Sequence, residues 1–135
     1  MNILRNILAV IVGFMLGNVV NMLVLTGGHA LMPPPAGFNS SSMEGVASTI
    51  NLLTPVDFIV PFLAHALGAF AGVLTAMFLA ASSHKTIAAI LGVLFLAGGV
   101  VANVMIPAPI WYRITDILLA YVPMAFLAYR LTRTR

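Results

Sequence analysis

The residues that could carry chemistry centre on one apolar stretch, TPVDFIVPFLAHALGAFAGVLTAMFLAA, at positions 54–81. The stretch is long enough to cross a bilayer, yet it contains Asp57 and His65. On a helix these two residues share a face with Pro61, Gly68 and Gly72. An ionisable side chain inside lipid is costly, so its presence indicates a function by default. His65 lies about 12 Å deeper than Asp57 at the usual helical rise, where neither a helix cap nor the membrane interface explains it.

Other polar residues are predicted to lie on the same side of the membrane as Asp57, and together they predict an outward-facing pocket around His65. The candidate ligand or ion residues are His65, Asp57, Glu44, His29, Asp116 and Arg113.

Several of these residues also have a structural interpretation. Thr54, Pro55 and Asp57 match the N-cap, first and third positions of a helix start. Glu44 completes a capping box with Ser41.

The alternatives for the remaining candidates stay open. Asp116 could form an ion pair with Arg113, three residues earlier on the same helix. His65 could be a neutral imidazole hydrogen-bonded to a neighbouring helix, for example to the helix-packing amides Asn21 or Asn103. Otherwise, it could be a metal ligand or a proton carrier at the base of the pocket.

A divalent metal is one alternative occupant of this pocket. His29, Glu44, Asp57, His65 and Asp116 offer nitrogen and oxygen ligands, with His65, Asp57 and Glu44 as the candidates for metal binding. Their spacing matches no metal motif.

Other cofactors are not expected. His65 is the only histidine deep in a span, which argues against bis-histidine haem, because His84 is predicted at a helix end. The single lysine, Lys85, falls in a loop, which argues against a retinal Schiff base. The absence of cysteine excludes disulfides and thiolate sites.

Composition makes the lipid bilayer the main partner of this chain. Of its 135 residues, 61% are hydrophobic and 7% are charged. Soluble domains have about 25% charged residues, so this chain could not cover a water-facing surface. The formal net charge of +3 arises from only six Lys and Arg residues. We therefore expect no nucleic-acid partner, and we expect these charges to set orientation.

The elements that position the candidate residues are helices. We predict an all-α membrane protein, a single domain over 1–135 formed by a four-transmembrane-helix bundle. The spans are predicted at about 3–25, 55–81, 86–106 and 110–131. A short amphipathic helix at about 42–53 is predicted in the first outer loop, 26–54. Gly13 and Gly17 form a small-xxx-small pair that favours close helix packing.

Charge asymmetry predicts the orientation. One side carries Arg5, Lys85, Arg130, Arg133 and Arg135, whereas Arg113 alone falls on the other side. By the positive-inside rule, both termini are expected in the cytoplasm.

The stretches HALMPPPAGF and PAPIWYRITDILLAYVPMAF resemble those of small uncharacterised bacterial inner-membrane proteins with four spans. The resemblance implies a multi-pass protein of the inner membrane. It implies no activity and no functional residue.

Three functions follow from this pattern, in order of preference. The first is a non-enzymatic subunit or binding module with a polar pocket around His65. It is expected to form a homo-oligomer or to dock on a larger membrane complex, because the glycine stripes offer more packing surface than one bundle needs. The second is a transporter or channel component. The third is a membrane enzyme acting on a lipid or quinone-like substrate, with His65 and an outer carboxylate as general acid and base.

Overall fold

The computed structural model describes residues 1–133, and it confirms an all-helical four-span bundle. Arg135, which was counted in the charge asymmetry, lies outside the described residues. Four helical segments are long and apolar enough to cross a membrane, namely Asn2–Leu31, Pro55–Leu79, His84–Met105 and Ile110–Arg133. The elements are α1 (Asn2–Leu31), α2 (Met43–Thr49), α3 (Ile59–Leu79), α4 (His84–Met105), α5 (Ile110–Leu119) and α6 (Val122–Arg133), with 3₁₀ turns at Ile50–Leu52 and Pro55–Phe58.

The bundle has two distinct ends. We call the end that carries residues 32–58 and the Pro107–Pro109 turn the first-loop end. The opposite end carries residue 1, the α3–α4 connection and the last turn of α6, and we call it the terminal end. Helices α1, α3 and α4 each run the full length between these ends, and α5 followed by α6 makes the fourth crossing.

α1 continues six residues beyond the predicted limit at 25, as far as Leu31. Gly27 and Gly28 do not stop it, because Gly28 packs closely against Val60 of α3. The helix ends before Pro33, since a proline disfavours helical backbone at the preceding residue.

Glycines bring α1 and α3 into direct backbone contact. A Cβ added at Gly13 would lie 2.6 Å from the carbonyl oxygen of Gly72, and one at Gly17 would lie 2.7 Å from that of Gly68. Neither site has room for a side chain. The predicted packing stripe therefore joins α1 to α3, and it fixes the depth of α3 residues relative to α1.

Polar side chains near the start of α1 cap the end of α3. Arg5 Nε donates to the Leu79 carbonyl at 2.7 Å, and Asn6 Oδ1 accepts from the backbone N–H of Ala81 at 2.9 Å. These bonds satisfy backbone groups that a helix end leaves free. They connect the start of α1 to the end of α3 at the terminal end of the bundle.

The interior consists mainly of small side chains. The main buried cluster joins α3, α4 and α6 and contains Val73, Ala76, Leu91 and Ala125. A second, smaller cluster of Phe58, Ala108 and Tyr112 closes the first-loop end. The slim alanine-rich core leaves room for cavities only where the helices diverge.

The fourth span is broken, although the sequence pattern predicted one helix over 110–131. α5 ends at Leu119 and α6 begins at Val122. Pro123 explains the break, because it has no N–H for the Leu119 carbonyl and its ring would clash with that group. The break lets Tyr121 turn into the bundle, where it is buried.

The N-cap of α2 is Ser42, not Ser41 as the capping-box pattern predicted, and α2 with its 3₁₀ turn covers 43–52 of the predicted 42–53. The Ser42 hydroxyl accepts from the backbone N–H of Gly45 at 3.0 Å, whereas Ser41 bonds to Asn39. The Ser41–Glu44 capping box was therefore wrong, because Asn39 holds Ser41 outside the helix.

Candidate functional site

An imidazole–carboxylate pair joins α3 to α5 inside the bundle. His65 Nδ1 and Asp116 Oδ1 are 2.8 Å apart. Asp116 is 0% exposed, while about a quarter of the His65 side chain, 25%, remains accessible. The carboxylate thus lies behind the imidazole and orients it. With Nδ1–H donating to Asp116, the lone pair of Nε2 is available for another partner.

Tyr121 completes the support of this pair. Its hydroxyl donates to Asp116 Oδ2 at 3.0 Å, and its ring stacks on the His65 ring with centroids 5.7 Å apart. Both carboxylate oxygens therefore have a donor. His65, Asp116 and Tyr121 come from α3, α5 and the α5–α6 break, so three parts of the chain meet at this point.

Tyr112 presents a buried hydroxyl beside this arrangement. It lies one helical turn before Asp116 on the buried face of α5, and the residue is only 7% exposed. Among residues 1–133, its hydroxyl is the one buried side-chain polar atom without a hydrogen-bond partner. Burying such a group unpaired costs about 1–3 kcal/mol, so its retention calls for a functional explanation.

A cavity of about 370 Å³ lies over these side chains at the first-loop end. Its floor includes His65, Asp116, Tyr112 and Asn103, and His29 lines it from the last turn of α1. The remaining wall is mostly apolar, with contributions from α2 and its 3₁₀ turn: Leu25, Phe38, Met43, Val46, Ile50, Leu53, Phe58, Pro61 and Ile106. Most of the lining is therefore apolar. One group of polar residues lies at the floor, and His29, Ser40 and Ser42 add polar groups from α1 and the first loop. This is the usual form of a small-molecule site.

A second cavity, of about 170 Å³, lies deeper between α1 and α4. It shares two lining residues with the first, His65 and Ala102. Its wall includes exposed residues at mid-span on two different helices, Asn18 and Gly98. The His65 ring therefore stands between a cavity at the first-loop end and one that opens towards the lipid side of the bundle.

The predicted hydrogen bond from His65 to a neighbouring helix is present, but the partners predicted for His65 and for Asp116 are wrong. Asp116 bonds to His65 and Tyr121, and no ion pair links it to Arg113 in the described part of the chain. The predicted ion pair with Arg113 rested on spacing along one helix. Asp116 instead lies on the buried face of α5, where it meets His65 of α3. His65 likewise bonds to Asp116 instead of an asparagine, and Asn103 donates to the Gly99 carbonyl of its own helix at 2.9 Å.

The structure leaves the other predicted residues apart from the pair. Asp57 accepts from the N–H and the hydroxyl of Thr54, both at 2.7 Å, and so caps its own helix start. Glu44 is exposed on α2, and Arg113 is half-buried on α5. Asn21 packs against Gly68 at the α1–α3 seam.

The predicted ligands do not assemble into a metal centre. Within residues 1–133, no three His, Asp or Glu side chains come together in a group that could hold a metal ion. His65, Asp57 and Glu44 do not form a metal site, because Asp57 caps its own helix start and Glu44 is exposed on α2. Among the acidic residues, His65 pairs with Asp116 alone.

Tyr112 and Tyr121 were not among the predicted site residues. Tyr112 could have been recognised from its spacing of four from Asp116, which puts both residues on one helical face. Tyr121 could have been recognised from Pro123, which predicts a break where a side chain can turn inward.

Comparison with protein-family models, with curated proteins and with solved structures finds no match for this chain. The resemblance to small four-span proteins of the bacterial inner membrane stays a prediction. The features of the chain that bear on its function are the cavity and the side chains beneath it.

Proposed function

We propose that this chain is a non-enzymatic membrane binding protein whose site is the cavity over His65 and Asp116. The observation that carries the proposal is the buried His65–Asp116 pair beside the unpartnered Tyr112 hydroxyl at one end of an apolar cavity. Asp116 has a donor on each carboxylate oxygen, whereas the unpaired Tyr112 phenol reduces stability. A bound ligand that engages Nε2 and the phenol offsets that cost.

The lining indicates the chemical class of the ligand. His65 Nε2 can accept one hydrogen bond, and the Tyr112 hydroxyl can donate or accept one. The rest of the cavity wall is mostly apolar, with His29, Ser40, Ser42, Asn103 and Asp116 as its other polar members. An amphiphile with a hydroxyl or carbonyl head and an apolar body fits this division, and a cavity of about 370 Å³ lies within the size range of small-molecule sites.

A transporter is less well supported. Below His65 the buried core consists of residues such as Val73, Ala76 and Leu91. In the described chain, no buried ionisable residue continues the path towards the terminal end. A polar route across the bundle is what ion or solute passage would require.

A membrane enzyme acting on a lipid or quinone-like substrate remains the second candidate. The Asp116–His65 arrangement favours it, because a carboxylate that orients Nδ1 leaves Nε2 placed as a general base. The prediction paired His65 with an outer carboxylate as general acid and base, yet Asp57 is occupied by its helix cap and Asp116 by its bonds to His65 and Tyr121. For that reason we rank binding above catalysis.

We further infer the setting of the protein from its sequence. Four of the described basic residues, Arg5, Lys85, Arg130 and Arg133, lie near the terminal end, which supports termini in the cytoplasm and a cavity that opens outward. The resemblance of the proline-containing stretches supports the inner membrane of a bacterium. A homo-oligomer or a place in a larger complex stays part of the proposal, although the Gly13–Gly17 stripe of α1 packs against α3 within the chain.

Native mass spectrometry of the full chain, released from gentle detergent, tests the binding proposal. The wild type should carry a non-protein mass, and His65→Phe should reduce its occupancy about tenfold, since a lost hydrogen bond to a polar head costs about 1.4 kcal/mol. Asn51→Ala is the control, because Asn51 is exposed at the first-loop end and lines neither this cavity nor the other pockets of the bundle. A wild type without any bound species, or equal loss in both variants, would refute the proposal.

A further inference from the structure

We propose a second binding site, at the terminal end, that takes the phosphate of an anionic phospholipid. A cleft of about 670 Å³ opens there between the end of α3, the start of α4 and the last turns of α6. Lys85, His84 and Arg133 line it, together with the hydroxyl residues Ser83 and Thr86. This site is separate from the cavity over His65 and does not depend on it.

The charges in this cleft have no counterion among residues 1–133. The chain contains three acidic residues in total, and all of them lie at the other end: Glu44 on α2, Asp57 in the turn before α3, and Asp116 beneath His65. No ion pair joins Lys85 or Arg133 to a carboxylate in residues 1–133. Cations gathered in a cleft near a membrane surface attract an anion from outside.

The arrangement of the cleft suits a phosphate group. Arg133 lies over the Tyr129 ring, 5.6 Å from its centroid, which restrains the guanidinium at one wall. Lys85 and the hydroxyls of Ser83 and Thr86 line the cleft from the start of α4, and these hydroxyls make no side-chain hydrogen bond within the described chain. Guanidinium, ammonium and hydroxyl groups are the donors that phosphate oxygens accept from.

The apolar part of the lining identifies the source of the phosphate as a lipid. Met77 and Phe78, near the end of α3, border the same cleft, and Phe78 is 58% exposed. An acyl chain can lie against Phe78 while the headgroup contacts Lys85 and Arg133. A free phosphate ion would use the basic residues and gain nothing from the exposed aromatic ring.

Lipid retention measured by native mass spectrometry tests this site. The full chain in detergent is titrated with dioleoyl phosphatidylglycerol or, in parallel, with dioleoyl phosphatidylcholine. We expect phosphatidylglycerol to be retained in preference, and Lys85→Gln combined with Arg133→Gln to reduce that retention about tenfold, since each basic residue near an anionic surface contributes measurably. Arg130→Gln is the matched control, because Arg130 is exposed on the same helix but does not line the cleft.

Three results would overturn the proposal. Equal retention of the two lipids would show that the net charge of the lipid headgroup does not determine binding. An equal loss in Arg130→Gln would show general attraction to a basic surface. Displacement of phosphatidylglycerol by inorganic phosphate in modest excess, with no effect of Phe78→Ala, would identify a free-ion site.

The same titration separates this site from the one over His65. His65→Phe should leave retention of phosphatidylglycerol unchanged, because His65 lies at the other end of the bundle. A loss in that variant would show that the lipid binds in the cavity over His65, and it would contradict a second site.

Discussion

Two buried tyrosines at this site differ in what their hydroxyls do. Tyr121 donates to Asp116 and stacks on His65, so its hydroxyl belongs to the internal network. Tyr112 is equally buried, yet its hydroxyl has no partner within residues 1–133. The same side chain therefore stabilises the bundle through its hydroxyl at one position and leaves that hydroxyl unpaired at the other.

Replacing each tyrosine by phenylalanine should separate these two roles. Tyr121→Phe removes the donor to Asp116 Oδ2, so we expect a destabilisation of about 1 kcal/mol, a usual value for a hydrogen bond between membrane helices. Tyr112→Phe removes an unpaired polar group and should leave the thermal stability equal or slightly higher. Thermal unfolding of the two variants in detergent checks this, and a larger loss for Tyr112→Phe would contradict the assignment.

At the scale of helices, the glycine seam between α1 and α3 sets the position of His65. Backbone contact at Gly13–Gly72 and Gly17–Gly68 holds the two helices at a fixed depth, and α3 then presents His65 to α5. The Pro123 break brings Tyr121 to the same point from the fourth span. The site therefore depends on contacts that lie outside it.

Gly72→Ala and Gly27→Ala test the seam as a matched pair. A Cβ at Gly72 would lie 2.6 Å from the Gly13 carbonyl oxygen, whereas one at Gly27 meets nothing within 4 Å. We expect Gly72→Ala to lower stability by about 1–3 kcal/mol, as overpacking does, and Gly27→Ala to have no such effect. Similar unfolding temperatures for the two variants would show that the seam does not hold the bundle.

Some of this architecture could be predicted from the sequence, and some could not. Hydropathy and length predict four spans, and the Thr54–Asp57 cap was recognisable because it involves neighbours along the chain. The His65–Asp116 pair joins residues 51 positions apart, and only the packing of α3 on α5 decides it. The same applies to the Tyr112 hydroxyl, because an unpaired group is defined by what surrounds it in space.

For the whole molecule, the distribution of charge predicts which end faces the cytoplasm. Acidic residues gather at the first-loop end, and most basic residues lie near the terminal end. In the proposed orientation, the His65 cavity opens outward and the basic cleft meets the anionic inner leaflet. The two proposed sites would then contact opposite membrane surfaces.

Cysteine labelling in cells tests this orientation, since the chain contains no cysteine of its own. We expect Ser40→Cys, in the first loop, to react with a membrane-impermeant maleimide added outside. Lys85→Cys, at the start of α4, should react only after the membrane is permeabilised. The reverse pattern would contradict the orientation and would place the cavity on the cytoplasmic side.

The most direct test of the account is the bound mass in native spectra of the wild type and Tyr112→Phe. This variant changes one hydroxyl that makes no bond within residues 1–133, so it isolates binding from folding. The account predicts a bound species in the wild type, with an occupancy that falls several-fold in Tyr112→Phe while the unfolding temperature is kept. An unchanged occupancy in the variant, or a wild type that carries no bound species, would contradict it.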